Sequence, residues 1–173
     1  MDYKKYIREV PDFPKPGINF KDISTLVGNA EAFRHVIRTM TEAAAELKVD
    51  LIAGIESRGF IFGAAIAEKM GIGFIPVRKP GKLPYQTISA SYALEYGENT
   101  LHMHTDAIQP GQRVLIVDDL LATGGTVGAT CALVEKLGGK VAAISVVIEL
   151  SFLGAREKLN PYKVLSLVDY SGE

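Results

Sequence analysis

Two adjacent carboxylates, Asp118 and Asp119, follow the apolar run Val114-Leu115-Ile116-Val117, and the chain soon reads Thr123-Gly124-Gly125-Thr126. The apolar run is short and β-branched, as expected of a parallel strand buried on both faces. Carboxylates at its C-terminal end lie where open α/β sheets bind their ligands. The small residues of the Thr-Gly-Gly-Thr step present backbone N–H groups at the start of a helix, an anion site. Acids able to accept from a diol, beside a phosphate cradle, suit a ribose 5-phosphate. An acidic pair or a Gly-Gly step alone equally fits a strand–turn–helix whose acids cap the helix; the ordered run points to the sugar phosphate.

Three further segments carry chemistry. Gly54-Ile55-Glu56-Ser57-Arg58-Gly59-Phe60 lies between strand-like and helix-like stretches. It therefore shares the ligand edge, where Arg58 offers planar, permanently charged donors for phosphate; the alternative is a helix N-cap with a solvated arginine. Arg78-Lys79-Pro80-Gly81-Lys82 places three cations in five residues. Alone it reads as a solvated loop, but beside a sugar-phosphate site it reads as a clamp for an anionic leaving group. Phe20, in Asn19-Phe20-Lys21, either fills the core, as Phe usually does, or stacks on a planar base.

The Asp118–Thr126 run resembles the phosphoribosyl-diphosphate (PRPP) motif of the phosphoribosyltransferases. The proline-rich entry Pro11–Gly17, the Glu56–Phe60 loop and the Ser91-Tyr92-Ala93-Leu94-Glu95-Tyr96-Gly97 segment resemble the adenine phosphoribosyltransferase family in particular, in order and over nearly the whole chain. The resemblance implies a glycosyltransferase (pentosyltransferase) that moves the 5-phosphoribosyl group of PRPP to adenine, giving AMP and pyrophosphate in purine salvage. It implies that Asp118 and Asp119 hold the ribose hydroxyls and that Ala122, Thr123, Gly124, Gly125 and Thr126 hold the 5′-phosphate. Arg58, Arg78, Lys79 and Lys82 would face the pyrophosphate. Phe20 would stack on adenine while backbone groups of Asn19 and Lys21 read its edge. Glu95 is the implied base, with Tyr96 and Arg58 near the reacting centre. Mg²⁺ is expected on the substrate, held by its oxygens and water rather than by direct protein ligands. The resemblance further implies a homodimer, a cis peptide between Glu56 and Ser57, and one domain over 1–173. In that domain, residues of about 1–25 form a base-binding hood and those of about 79–104 a lid. Two positions depart from the pattern: His102 stands where many relatives carry an acid, and Asn19 where an apolar residue is common.

The elements needed to position these residues follow from periodicity. Phe33, Val36, Ile37, Met40, Ala44 and Leu47 form one helical stripe over 30–48, with Asn29 as N-cap. Strands are expected at 51–55, 73–77, 112–118, 141–148 and 164–168. Helices are expected at 60–70, closed by Gly71, at 126–137, and briefly near 152–159. Such alternation predicts an α/β fold, a mainly parallel twisted sheet flanked by helices, of the type I phosphoribosyltransferase kind. Residues 91–96 and 100–104 read as a small hairpin turning at Gly97-Glu98-Asn99, and Pro11–Asp22 as a non-helical strap.

Composition narrows the class. A chain of 173 residues with a formal net charge of −1 has no charge excess to drive binding to nucleic acid or to a membrane surface. That weakens the rival of a PRPP-binding regulator acting on DNA or RNA. No G-x-G-x-x-G opens a helix, and Gly124-Gly125-Thr126 lacks the P-loop lysine. The single cysteine, Cys131, and the absence of an apolar leader near Met1 fit a cytoplasmic protein.

Overall fold

The computed structural model describes residues 1–93 and 98–172. After a 3₁₀ turn, Tyr3–Tyr6, come β1 (Arg8–Val10), β2 (Phe20–Asp22), α1 (Ser24–Gly28), α2 (Ala30–Ala45), β3 (Leu51–Ile55), α3 (Arg58–Met70) and β4 (Gly73–Val77). Then follow β5 (Thr87–Ala93), β6 (Glu98–His104), β7 (Arg113–Leu121), α4 (Gly125–Lys136), β8 (Lys140–Leu150), a 3₁₀ turn at Ser151–Leu153, α5 (Ala155–Lys158) and β9 (Val164–Tyr170).

Five strands form one parallel sheet in the order β4-β3-β7-β8-β9. Alternate residues of β7 feed two cores. Leu115 and Val117 pack with Phe62 and Ile66 of α3 and Val36 and Met40 of α2. Val114 and Ile116 pack with Val127, Leu133 and Val134 of α4 and with Leu101 and Met103 of β6. Burial on both faces explains why the strand is a continuous apolar run and not an alternating one. Asn29 caps α2 as expected, its side chain accepting from Ala32 N–H at 3.0 Å. Gly71 ends α3 with φ +67°, a left-handed conformation that costs glycine little.

The fold class agrees with the sequence reading, but several boundaries move. Helix α3 starts at Arg58 rather than Phe60, and α4 at Gly125. Strand β7 runs to Leu121, so the two carboxylates lie inside the strand instead of ending it. Part of the strap is paired: β1 and β2 form an antiparallel hairpin. The other hairpin starts earlier than expected, at Thr87, and Glu98 and Asn99 pair with Ala93 and Tyr92 as strand instead of turning. The hairpin is tied to the main sheet by reciprocal backbone hydrogen bonds between Arg78 and His102, 2.7 and 3.0 Å.

Candidate active site

Strand order reverses between β3 and β7, which opens a crevice at their C-terminal ends. Register shows how. The last pair between these strands is Gly54 with Val117, whereas β7 continues beside β8 through Leu121, opposite Glu149. From Asp118 onward β7 is a ledge with one strand neighbour, and the Glu56–Arg58 turn faces its open side.

The ledge carries Asp118 and Asp119, only 9% and 4% exposed. Burial, then the neighbouring Asp119 carboxylate, drives the Asp118 carboxyl well above its ordinary range. Burial also raises Asp119, with Arg58 pulling the other way. Asp118 Oδ1 accepts from Asp119 N–H at 2.9 Å. Two neighbouring buried acids cost folding free energy, and such a cost is characteristic of functional sites.

Arg58 answers them from the first position of α3, its Nε 2.9 Å from Asp119 Oδ2. Ser57 makes no side-chain capping bond, so this turn is not a simple N-cap with a solvated arginine. Gly59 permits the approach: a Cβ there would lie 2.8 Å from the Val117 carbonyl and 2.9 Å from Asp118 Oδ1. The Glu56–Ser57 peptide is cis, as expected. Glu56 is held by Arg78, whose Nε and Nη2 donate to its carboxylate at 3.1 and 3.2 Å, and by Lys79 N–H at 3.0 Å. Burial alone would raise the Glu56 carboxyl, but these donors outweigh it and hold it below the ordinary range.

Beyond the ledge, Gly124 takes φ +86° and turns the chain into α4, exposing N–H groups toward the crevice. A cavity of about 470 Å³ is lined by Glu56, Ser57, Arg58, Lys79, Asp118, Asp119, and residues 120–127, together with Tyr92, Asn99 and Leu101 of the hairpin. Tyr92 lies across the glycine loop. Thr126 Oγ1 donates to its hydroxyl at 3.1 Å, and a Cβ on Gly125 would strike its ring at 2.8 Å.

A second cavity, about 300 Å³, is lined by Gly17, Ile18, Asn19, Lys21, Ala122, Leu150, Phe152, Leu153 and Gly172. Ala122 borders both cavities, so the two adjoin. Phe20 lines neither cavity; its ring lies 5.0 Å from the Arg58 guanidinium carbon and 5.2 Å edge-on from Phe13. The Lys21 side chain turns away, its Nζ over the Tyr170 ring at 4.3 Å.

Arg58, Lys79, Asp118, Asp119 and the 122–126 loop are thus brought together, with Asn19, Phe20 and Lys21 alongside. Arg78 and Lys82 do not line the larger cavity: Arg78 is engaged with Glu56 and with the Lys82 carbonyl. Glu95 and Tyr96 lie outside the described residues. His102, given no role from the sequence, hydrogen-bonds Thr87 through Nδ1 at 2.9 Å. Sequence reasoning missed Tyr92 as a neighbour of the glycine loop, and Leu150, Phe152 and Leu153 as cavity wall. The latter three were findable, because they lie at or just after the C-terminal end of a parallel strand and so belong to the ligand edge.

Residues 23–170 match the phosphoribosyl transferase domain family. An adenine phosphoribosyltransferase of Desulfitobacterium hafniense is 57% identical over 170 residues, covering 98% of both chains. The crystal structure of adenine phosphoribosyltransferase from Thermoanaerobacter pseudethanolicus superposes with a TM-score of 0.96 at 53% identity, covering 98% of each chain. The Saccharomyces cerevisiae enzyme, complexed with adenine and an imino-altritol bisphosphate, has a TM-score of 0.90 at 41% identity, covering 96% of each. Motif order, the crevice beside the glycine loop and full-length likeness agree: this chain belongs to the adenine phosphoribosyltransferase family.

Proposed function

We propose that this chain transfers the 5-phosphoribosyl group of PRPP to adenine N9, releasing pyrophosphate and forming AMP. The observation that carries the reading is the junction of two cavities at Ala122. One is lined by buried carboxylates and a glycine loop, the other by mainly apolar walls beside an aromatic ring. A sugar phosphate and a flat base placed in them meet near Ala122.

In this reading the bond from C1 of the ribose to the diphosphate oxygen breaks as the C1–N9 bond forms on the opposite face. Positive charge gathers on the sugar and negative charge on the leaving group. Asp118 and Asp119 fix the ribose hydroxyls, and the N–H groups of 122–126 anchor the 5′-phosphate. Catalysis then lies in alignment and in fixed charge. Arg58 and Lys79 meet the departing diphosphate, and Arg78 and Lys82 join them when the 79–104 segment closes over the site and excludes water. Glu95 takes the proton released from the base, with Tyr96 beside the reacting centre.

Two neighbouring carboxylates suit Mg²⁺, which keeps much of its water and takes few protein oxygens. Mg²⁺ would be held by substrate oxygens and water beside Asp118 and Asp119, and would supply charge neutralisation for the leaving diphosphate. We read the chain as one domain, with about 1–25 as hood and about 79–104 as lid. We read it also as a homodimer, a reading that rests on the family resemblance. A cytoplasmic place is supported by Cys131, buried and unpaired, its thiol pushed up to about 12 chiefly by burial.

The test is purified protein with PRPP, Mg²⁺ and each purine in turn. Adenine-dependent release of pyrophosphate with AMP formation is expected; turnover of hypoxanthine or guanine alone would reassign the base. Glu95→Gln should lower kcat more than PRPP affinity, and an unchanged kcat would discard it as the base. Light scattering that finds a monomer would remove the dimer.

A further inference from the structure

The β1–β2 hairpin carries an ion pair that the chemistry above leaves unused. Glu9 stands directly across from Lys21 in the hairpin register. Its Oε2 accepts from Asn19 Nδ2 at 2.7 Å and lies 3.2 Å from Lys21 Nζ. Both neighbours of Phe20 in the chain are therefore held by one carboxylate. Side chains alternate along an extended strand, so the grip on 19 and 21 leaves Phe20 to the opposite side, where Arg58 and Phe13 meet it.

Lys21 shows why the grip matters. Its side chain is only 5% exposed, and an ammonium that deep needs compensation. Two groups supply it, the Glu9 carboxylate and the face of Tyr170. Without Glu9 the ammonium keeps only the ring, and water draws it outward together with the backbone that lines the smaller cavity. Asn19 depends on Glu9 as well. A carboxylate only accepts, so the amide must turn Nδ2 to Glu9 and Oδ1 elsewhere. The Asn19 amide first, then Lys21, keep the Glu9 carboxyl below its ordinary range, so it is charged at neutral pH.

We propose that Glu9 is a positioning residue for the nucleobase: by clamping Asn19 and Lys21 together it fixes the wall of the smaller cavity against which a flat base lies. This rests on reading the smaller cavity as the base site. Glu9 touches neither substrate in this arrangement and acts through its two neighbours.

The experiment compares wild type with Glu9→Gln, which keeps an acceptor but not the charge, and Glu9→Ala, which keeps neither. Thermal unfolding, kcat and both KM values are read for each. The adenine KM should rise on the order of tenfold in Glu9→Ala, the scale of one charge-assisted hydrogen bond. Glu9→Gln should fall between the two, with kcat and the PRPP KM within about twofold of wild type. An adenine KM that does not move, or a PRPP KM that rises equally, overturns the inference. Should Glu9→Ala fail to fold, Asn19→Val removes one arm while the Lys21 pair stays. A rise of about threefold in the adenine KM alone is then expected, and no change overturns the inference. An active wild type whose adenine KM the Glu9 variants leave unchanged overturns this inference alone; a wild type that makes no AMP overturns the base-site reading with it.

Discussion

Arg58 and Asp119 form an ion pair across the crevice, Nε to Oδ2 at 2.9 Å, with the Asp119 side chain 5% exposed and that of Arg58 35%. The contact is electrostatic without being an aligned hydrogen bond, and Oδ2 has no hydrogen-bond donor among the described residues. Oδ2 is buried beneath the guanidinium and becomes an acceptor for a hydroxyl only when Arg58 shifts aside, whereas Arg58 retains N–H groups for an anion. One pair offsets charge on the ledge until a ligand parts it.

Asp118→Asn separates function from stability. Both acids are raised by burial, so the folded state binds protons more readily than the unfolded chain, and ionisation opposes folding. The variant should unfold at higher temperature than wild type near pH 8, each kcal/mol being worth about 2–4 °C in a chain of this size. That gain should be complete above the raised folded value, shrink as pH falls through it, and vanish below the ordinary 3.8. Turnover should fall about a hundredfold or more through loss of ribose positioning. Melting curves from pH 4 to 8 beside an AMP assay check both halves.

Gly59→Ala tests the close packing of α3 on β7. The new methyl would meet the Val117 carbonyl at 2.8 Å and Asp118 Oδ1 at 2.9 Å, the first fixed backbone and the second the end of a buried side chain held by Asp119 N–H. Overpacking of this kind costs about 1–3 kcal/mol, and it would displace Arg58 from Asp119. A lower denaturant midpoint together with a raised PRPP KM is expected. A KM unchanged in folded protein would show that the approach has no part in binding.

Tyr92→Phe removes the hydroxyl that accepts from Thr126 and leaves the ring over Gly125. Its effect should appear in the PRPP KM, about threefold to tenfold, with the adenine KM unaltered. Isothermal titration with PRPP gives the binding part directly.

Glu149→Gln addresses the wall of the smaller cavity. Glu149, 3% exposed on its side chain, takes two 2.7 Å bonds from Arg156 and one from Ser166, pinning the 151–154 turn that carries Phe152 and Leu153. Arg156 first, then Ser166 against opposing burial, hold the carboxyl below its ordinary 4.5. Its stabilisation is therefore full above 4.5 and lost as pH falls through the lowered folded value. Arg156 is half exposed, so water weakens the pair. A loss of about 1–3 kcal/mol at pH 7 is expected, with the difference closing in acid.

The sheet was readable because its strands are buried on both faces and announce themselves as apolar runs; Val114–Val117 is the plainest. Asp118 and Asp119 broke that run, and the expected strand stopped with them. Yet the backbone of β7 continues beside β8, since pairing depends on the neighbouring strand as much as on side chains. Tyr92 was invisible as a partner of the glycine loop for a related reason. Its contact with Gly125 joins residues 33 positions apart, and no local pattern encodes such a meeting. The glycines tell the same story: Gly71 could be read as a helix stop from its place in the chain, whereas the reason for Gly59 emerges only once α3 is laid on β7.

The larger cavity is built on the central strand and the turns beside it, whereas the smaller one is walled by the β1–β2 hairpin and the 151–154 turn at the margins of the domain. If the smaller cavity takes the base, as proposed, substitutions at those margins should change which heterocycle fits while leaving the layers beneath intact, and substitutions in the centre should disturb both.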